Sequence, residues 1–552
     1  MSSLIRRYWE ALLSKEKGVI FKNWGGKIRI GLIFPNYYNV GISNLGFQYV
    51  YALFNSRNDV VCERIFLPEP QMLEEHERTA TPLLSLESLR PLRDFHILAF
   101  SLSYENDYPN VLRMLELSQI PLLAEERRAQ DPLVIAGGSA VSINPEVMAP
   151  FFDCILIGEA EELVDEFIDA LKKSWGKTRE EILKSLSEVE GTYVPRFYEL
   201  VLNPDGTLKE IVPRSEDVPR RIKRRVYKGA PLLVSSPIRS PEGEFGESLI
   251  IEVARGCPYH CRFCVVRSLY HPFRPYPSDV LENQIMEGVK LCGRVSFLGA
   301  ALGNHPDFLR LCQKVVQLGG RFTLSSLRAD QVDGTLAKLL FVSKQRTVTF
   351  APEVGREEKR FKIGKNLLNS DLLKAVEILS QEGLTNLKLY FMIGLPKEEE
   401  EDLKALINLV KEISHTQKRI LRGSKGKITV SISPFVPKPW TPFQWYSFEE
   451  IASLKSKIKY VKKSLEVQVN YDLPKWAYFE ALFSLGDRRI GLELYRGWKE
   501  GDWVRQFRVS SINPDFWVLR KKTITEYFPW EIISTPSSKD FLWDEFLKYE
   551  KD

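Results

Sequence analysis

Three of the seven cysteines fall within eight residues, as Cys257-Pro-Tyr-His-Cys261-Arg-Phe-Cys264. A thiolate is a soft metal ligand, and spacings of four and three let one loop wrap a single centre. Three thiolates on a four-iron cube leave one iron open. A tetrahedral zinc knuckle wants a fourth donor, which His260 or His271 could supply. The order C-x3-C-x2-C, with aromatic Phe263 before the last cysteine and an apolar strand before the first, favours iron and sulfide over zinc. Cys62, Cys154, Cys292 and Cys312 are isolated and read as small buried hydrophobes. An odd, clustered set is no disulfide framework.

The cysteine loop follows SLIIEVARGC (248–257), the first of six apolar runs that alternate with helical stretches; the others are RVSFLGA, RFTLSSL, TVTFAPE, NLKLYFMIGLP and KITVSISPF. Such a series predicts a partial or complete α/β barrel, whose chemistry sits in the loops after the strands. An earlier βα series runs from Lys27 to Ser174 through KIRIGLIF, VVCERIFL, FHILAFSL, PLVIAGG and FDCILIG. It predicts a parallel sheet covered on both faces, with ligands at the carboxyl ends of its strands. Between the two series, the basic run RRIKRRVYKG and the Pro/Gly-rich SSPIRSPEGEFGES read as a solvated bridging segment; six basic residues from Arg220 to Lys228 gripping phosphate is the minority reading. Eight of the eleven Trp lie from Trp440 onward, where core packing of a small third element is the expected use and base stacking the alternative.

At the cysteine loop the chain resembles the radical S-adenosylmethionine (SAM) superfamily. The resemblance implies a [4Fe-4S] cluster on Cys257, Cys261 and Cys264, its open iron chelating SAM, and a 5′-deoxyadenosyl radical released on reduction. It implies SAM contacts at Phe263, at Ser325, Ser326 and Arg328 in LSSLRAD, at Glu353 in TFAPEVG, and at Met392, Ile393 and Gly394 in LYFMIGLP. Arg328 is expected to pair with the SAM carboxylate. The Gly-Gly-Glu that many members carry after the second strand is replaced by Gly299-Ala300-Ala301, so the SAM amino group must be held elsewhere.

The amino-terminal series, with GGSAVSINPE and ILIGEAEE, is similar to the cobalamin-binding domain of the class B methylase subgroup. This nominates Asn36, Tyr37, Gly41, Ser43, Leu45, Ser103, Tyr104, Gly137, Gly138, Ser139, Gly158 and Glu159 as corrin contacts. The D-x-H-x-x-G motif that supplies a lower axial histidine in other cobalamin proteins is missing, as it commonly is in this subgroup. The expected architecture is α/β: a Rossmann-like sheet (1–174), a linker (175–247), a partial (β/α)6 radical SAM barrel (248–440) and a small, mainly helical carboxyl-terminal region (441–552).

A chain of 552 residues with 44% hydrophobic and 27% charged content is neither disordered nor fibrous. Its net charge of +5 is too weak to announce nucleic acid by a global field. No window reaches 18 consecutive apolar residues and the opening carries no export signal, so a cytoplasmic protein with no membrane span is expected. The leading function is cobalamin-dependent methylation of an unactivated carbon, with an external electron donor of flavodoxin or ferredoxin type. A corrin-free radical enzyme for methylthiolation, rearrangement or hydrogen abstraction, on RNA or a peptide among other substrates, is second. A nucleic-acid-binding protein with a structural cluster is third.

Overall fold

A computed structural model describes residues 2–231, 234–423 and 426–551. The chain divides into two units that interleave in sequence. The first holds residues 1–247, 482–517 and 523–536, and the second 248–481, 518–522 and 537–552.

The first unit is built on a six-stranded sheet: β1 (Ile28–Phe34), β2 (Val60–Phe66), β3 (Ile97–Ser101), β4 (Leu133–Gly137), β5 (Cys154–Leu156) and β6 (Thr192–Tyr193), in the order β2-β1-β3-β4-β5-β6. Neighbours pair in parallel except β6, which runs antiparallel to β5. Every residue of β2 is buried, as helices on both faces require. Burial extends to Arg64, whose guanidinium is satisfied by Glu16 at 2.6 Å and Glu87 at 2.7 Å. The strands, their order of appearance and their parallel pairing match the expectation from the apolar runs.

The expected linker is different. Residues 175–247 are part of this unit: a helix, Arg179–Ser187, opens on a capping box from Thr178 and Glu181, β6 extends the sheet, and Tyr198–Leu202 pairs with Leu208–Pro213 as a hairpin. The basic run is also built in. Ile222 pairs with Ile533, Arg224 is buried, Arg225 meets Glu162 at 3.1 Å and Glu166 at 2.8 Å, and Lys223 meets Glu190 at 3.0 Å. Acids of the helix Ala160–Lys173 thus neutralise part of the charge that the minority reading assigned to phosphate.

The second unit carries two parallel sheets: β7 (Leu249–Glu252), β8 (Arg294–Leu298) and β9 (Arg321–Leu324); then β10 (Val348–Glu353), β11 (Asn386–Ile393), β12 (Lys427–Pro434) and β13 (Gln468–Tyr471). A single bridge, Leu327 to Phe350, links them across the gap between β9 and β10. The six expected strands are present, and β13 is a seventh; its polar sequence, Gln-Val-Asn-Tyr, carries none of the apolar run by which the others were found. Leu387, Leu389, Phe391 and Ile393 of β11 are buried on the helix-covered outer face, while Lys388, Tyr390 and Met392 alternate onto the open concave face.

No third domain forms from residues 441–552, because this stretch is shared between the two units. Its aromatic residues pack in cores as expected: Trp530 stacks with Phe528 in the first unit, and Trp445 meets Trp543 edge-on in the second. No helix among the described residues is long and apolar enough to cross a membrane.

Candidate cluster and cofactor site

The cysteine loop begins one turn after β7, and two glycines fix its path. Gly256 has φ +84, and a Cβ there would lie 2.3 Å from the Tyr270 carbonyl oxygen. Gly364 has φ +78, and its Cβ would lie 2.4 Å from the His260 carbonyl oxygen, against the backbone between the first two cysteines. Loops after the strands then clamp the side chains. The Arg328 guanidinium stacks on the Tyr259 ring at 4.0 Å while bonding Asp330 at 2.8 Å and the Asn366 carbonyl at 2.6 Å. Gln331 bridges the Tyr259 hydroxyl at 3.4 Å and Asn304 at 3.0 Å. On the other side, Arg262 pairs with Glu545 of the helix Lys539–Lys551 at 3.2 Å, and Ser268 donates to the Trp440 carbonyl at 2.5 Å.

All three thiols are half-buried, and burial pushes them up, Cys261 to about 12 and Cys264 to about 11; neighbouring sulfurs add to the rise at Cys261 and Cys264, and Lys365 opposes it at all three. Among the described residues no three His, Cys, Asp or Glu side chains converge closely enough to hold one metal ion, whereas a four-iron cube takes each thiolate on a separate iron. Cys261 and Cys264 line a recess with His260, Arg267, Trp440 and Glu545. The donor set, its glycine-shaped cradle and the cationic side chains around it fit an iron–sulfur cluster.

The expected SAM contacts are placed at the strand ends. Ser325 and Ser326 are exposed immediately after β9. Glu353 closes β10 after a register shift, at φ +68, and accepts from Lys365 at 2.6 Å. A left-handed non-glycine residue costs about 1 kcal/mol or more and marks a position held by its surroundings. Met392 is half-buried on the concave face, Ile393 is buried, and Gly394, at φ +76, donates its N–H to both Glu398 oxygens at 3.0 Å. Phe263 is half-buried within the loop. Arg328, by its stacking and hydrogen bonds, also acts as a clamp on the cysteine loop.

At the carboxyl edge of the first sheet, the ends of β1, β3 and β4 bring several nominated residues together. Asn36 donates to Asp107 at 2.8 Å; Ser139 donates to the Ser103 carbonyl at 3.2 Å; Asn44 reaches Ser103 Oγ at 3.3 Å. Tyr104 is 44% exposed, and Gly137, Gly138 and Ser139 are half-exposed beside it. Gly138, at φ +110, would place a Cβ 2.4 Å from the Leu102 carbonyl oxygen, so its glycine serves the approach of two strand ends. Tyr37 caps a short helix and Leu45 opens the next.

Three other nominated positions are packed against neighbouring chain. A Cβ on Gly41 would strike the Phe66 ring at 2.5 Å. Gly158 lies under the Arg225 backbone, and Glu159 accepts from the Tyr227 N–H at 2.8 Å. Ser43 is also engaged, donating to Asn39 and accepting from the Glu244 N–H. The 175–247 segment therefore packs along the β5 end of the edge, while Asn36, Tyr104, Gly137, Gly138 and Ser139 at the other strand ends are partly or fully exposed.

Asp107 was not singled out in the sequence, where it is one more acid in SLSYEND. Burial raises its carboxyl to about 7, against the Asn36 hydrogen bond, and Glu105 adds repulsion. The folded state therefore binds this proton more tightly than the unfolded chain, and stability falls as pH rises from about 4 to 7. Asp107→Asn keeps the acceptor for Asn36 and removes the ionisation. Thermal melts are expected to show the variant gaining on the wild type at pH 8, by at most ~4 kcal/mol, with no difference at pH 4; equal pH profiles would refute the assignment.

Two family models, two relatives and a solved structure are similar to this chain. Residues 46–195 match the family model for radical SAM proteins, N-terminal, and residues 251–410 match that for the radical SAM superfamily. The uncharacterized protein MJ0966 of Methanocaldococcus jannaschii is 28% identical over 471 residues, covering 84% of this chain and 89% of that protein. Bacteriochlorophyllide d C-8(2)-methyltransferase of Chlorobaculum tepidum is 27% identical over 194 residues, 34% of this chain and 35% of that enzyme, so the match spans about a third of either. Among solved structures, the cobalamin-dependent S-adenosylmethionine radical enzyme OxsB, with aqua-cobalamin and S-adenosylmethionine bound, aligns over 95% of this chain and 79% of that one, at 12% identity and a TM-score of 0.46.

Proposed function

We propose, from the premise that this chain belongs to the radical SAM superfamily, that it is a cobalamin-dependent enzyme that methylates an unactivated carbon. Membership makes it an enzyme of SAM and a [4Fe-4S] cluster that needs a reductant and a substrate. When bound, these groups supply a 5′-deoxyadenosyl radical, and cobalamin would supply the methyl group to be transferred.

Cys257, Cys261 and Cys264 would hold the cluster, with Tyr259 clamped between Arg328 and Gln331 to keep the loop in register with the strand ends. Glu353 and the Met392–Gly394 strand end would orient SAM beside it. The observation that carries the corrin reading is the open polar edge of Asn36, Ser103, Tyr104 and Ser139 on a parallel sheet, in the same chain as the cysteine loop. That a relative is named a methyltransferase supports the transfer.

Anaerobic reconstitution tests this. The full chain, loaded with iron and sulfide and incubated with hydroxocobalamin, is expected to retain one corrin per chain through gel filtration. Methyl-labelled SAM should then pass its label to product. Retention of the cluster with no corrin uptake would overturn the proposal in favour of a corrin-free radical reaction, whose product mass identifies it.

A further inference from the structure

The inner face of the second unit's strands departs from the barrel pattern. Closed α/β barrels fill their lumen with bulky branched apolar side chains. Here hydroxyls and charged side chains recur at inward positions, beside apolar ones such as Ile250 and Leu298. Ser248, just before β7, Ser296 of β8 and Thr323 of β9 form a hydrogen-bonded row, at 2.9 Å and 2.8 Å. On the second sheet, register puts Thr349 of β10 and Thr429 of β12 directly beside Lys388 of β11, with Gln468 of β13 next to Thr429. One layer up, Tyr390 stands beside Ser431, which faces Asn470. Thr349, Lys388 and Thr429 are half-exposed and Tyr390 is 36% exposed, so this face is open to water.

The charges on this face are unequal in their satisfaction. Glu252 is met by Arg255 at 3.1 Å and by the Tyr276 hydroxyl at 2.7 Å, and Glu353 is met by Lys365. Lys388 has no carboxylate: among the described residues its ammonium makes no hydrogen bond or ion pair and lies over the Tyr390 ring at 4.6 Å. An ammonium whose register neighbours on both adjacent strands are threonines offers, together with their hydroxyls, donors that an anionic oxygen group accepts. A strand interior needs no such residue for folding, and β propensity disfavours it there.

We propose that Lys388, Thr349 and Thr429 seat an anionic group, carboxylate or phosphate, on the substrate. The inference rests on the radical SAM reading and adds the substrate class to it. The seat lies four residues before Met392 on the same strand, about 13 Å from the strand end where SAM is expected. The substrate is therefore elongated, with its anionic group about that far from the carbon that reacts.

The experiment titrates inorganic phosphate and, separately, acetate into the reconstituted full chain under anaerobic conditions, reading affinity by calorimetry for the wild type, Lys388→Met, Lys388→Arg and Thr429→Val. One of the two anions is expected to bind the wild type saturably, about tenfold more weakly to Lys388→Met, and severalfold more weakly to Thr429→Val. Lys388→Arg should retain binding. Preference for phosphate identifies a phosphoester substrate and preference for acetate a carboxylate. Equal binding of both anions by the wild type, Lys388→Met and Thr429→Val, or no binding by the wild type, overturns the proposal. The threonine variant preserves charge and side-chain shape, so the test stands even if Lys388→Met fails to fold. SAM cleavage by the wild type is measured in parallel: its absence defeats the radical reading, whereas cleavage without a Lys388-dependent anion site defeats only this one.

Discussion

Cys264→Ala is expected to lose the cluster and to cut reductive cleavage of SAM to the background of protein-free reagents. Two thiolates cannot hold a cube that three of them already leave open at one corner. No other thiol can take its place: Cys264 donates its backbone N–H to the Cys261 carbonyl at 3.1 Å and closes the turn, and the other four cysteines are remote from it in sequence. Cys312→Ala is the control. Cys312 is fully buried on the helix Phe308–Gln317, so its loss removes packing and is expected to leave iron content intact. Iron and sulfide analysis, visible absorption and chromatographic detection of 5′-deoxyadenosine with dithionite as reductant read the outcome. Full cleavage by Cys264→Ala, or zinc in the purified wild type, would remove the basis for the assigned chemistry. Survival of RNA binding in a cluster-free variant that never cleaved SAM would point to the nucleic-acid reading, which the ion pairs of Arg225 and Lys223 already deprive of part of its surface.

The parts of this molecule that sequence discloses are those set by short-range pattern. Apolar runs such as VVCERIF and NLKLYFMI have to be buried strands, and the C-x3-C-x2-C loop shows three thiols within eight residues. What pattern misses is partnership at long range. Arg225 reads as one residue of a solvated basic run because Glu162 and Glu166 lie some sixty positions earlier; only the fold shows that its backbone packs on the β5 end against Gly158. Arg328 reads as a free cation at a strand end, yet its stacking partner Tyr259 is brought to it from the cysteine loop. The boundary drawn at 441 failed for a related reason: a change in composition marks a change in packing, and the chain here returns to complete two cores already begun. Lys388 was visible as a charge within an apolar strand, but its meaning depends on registers with Thr349 and Thr429 that belong to other strands.

Arg360→Met is expected to destabilise the second unit by ~3–5 kcal/mol, a loss readable in the denaturation midpoint. Arg360 is fully buried and has no carboxylate within ion-pair distance among the described residues; burial lowers it to about 10. Its guanidinium instead donates to the carbonyls of Pro352, Val354 and Gly355 at 3.2, 2.8 and 3.3 Å, and to Leu367 and Asn369, both at 2.9 Å. Methionine fills similar volume but leaves that group of buried acceptors unmet. Lysine, with one point of donation, is expected to recover less than half of the loss. Three of those carbonyls bracket Glu353, so the same fork that stabilises the turn holds Glu353 at φ +68. The two roles separate in Glu353→Gly. Glycine accepts that backbone at no steric cost, so the turn gains about 1 kcal/mol while Lys365 loses its partner, leaving stability near that of the wild type. SAM affinity, read by equilibrium binding to the reconstituted chain, is expected to fall at least about tenfold, the loss of one charge-assisted contact. Arg360→Met should weaken SAM in the same direction with the Glu353 carboxylate still present. Unchanged affinity in both variants would make the strained turn a feature of folding alone.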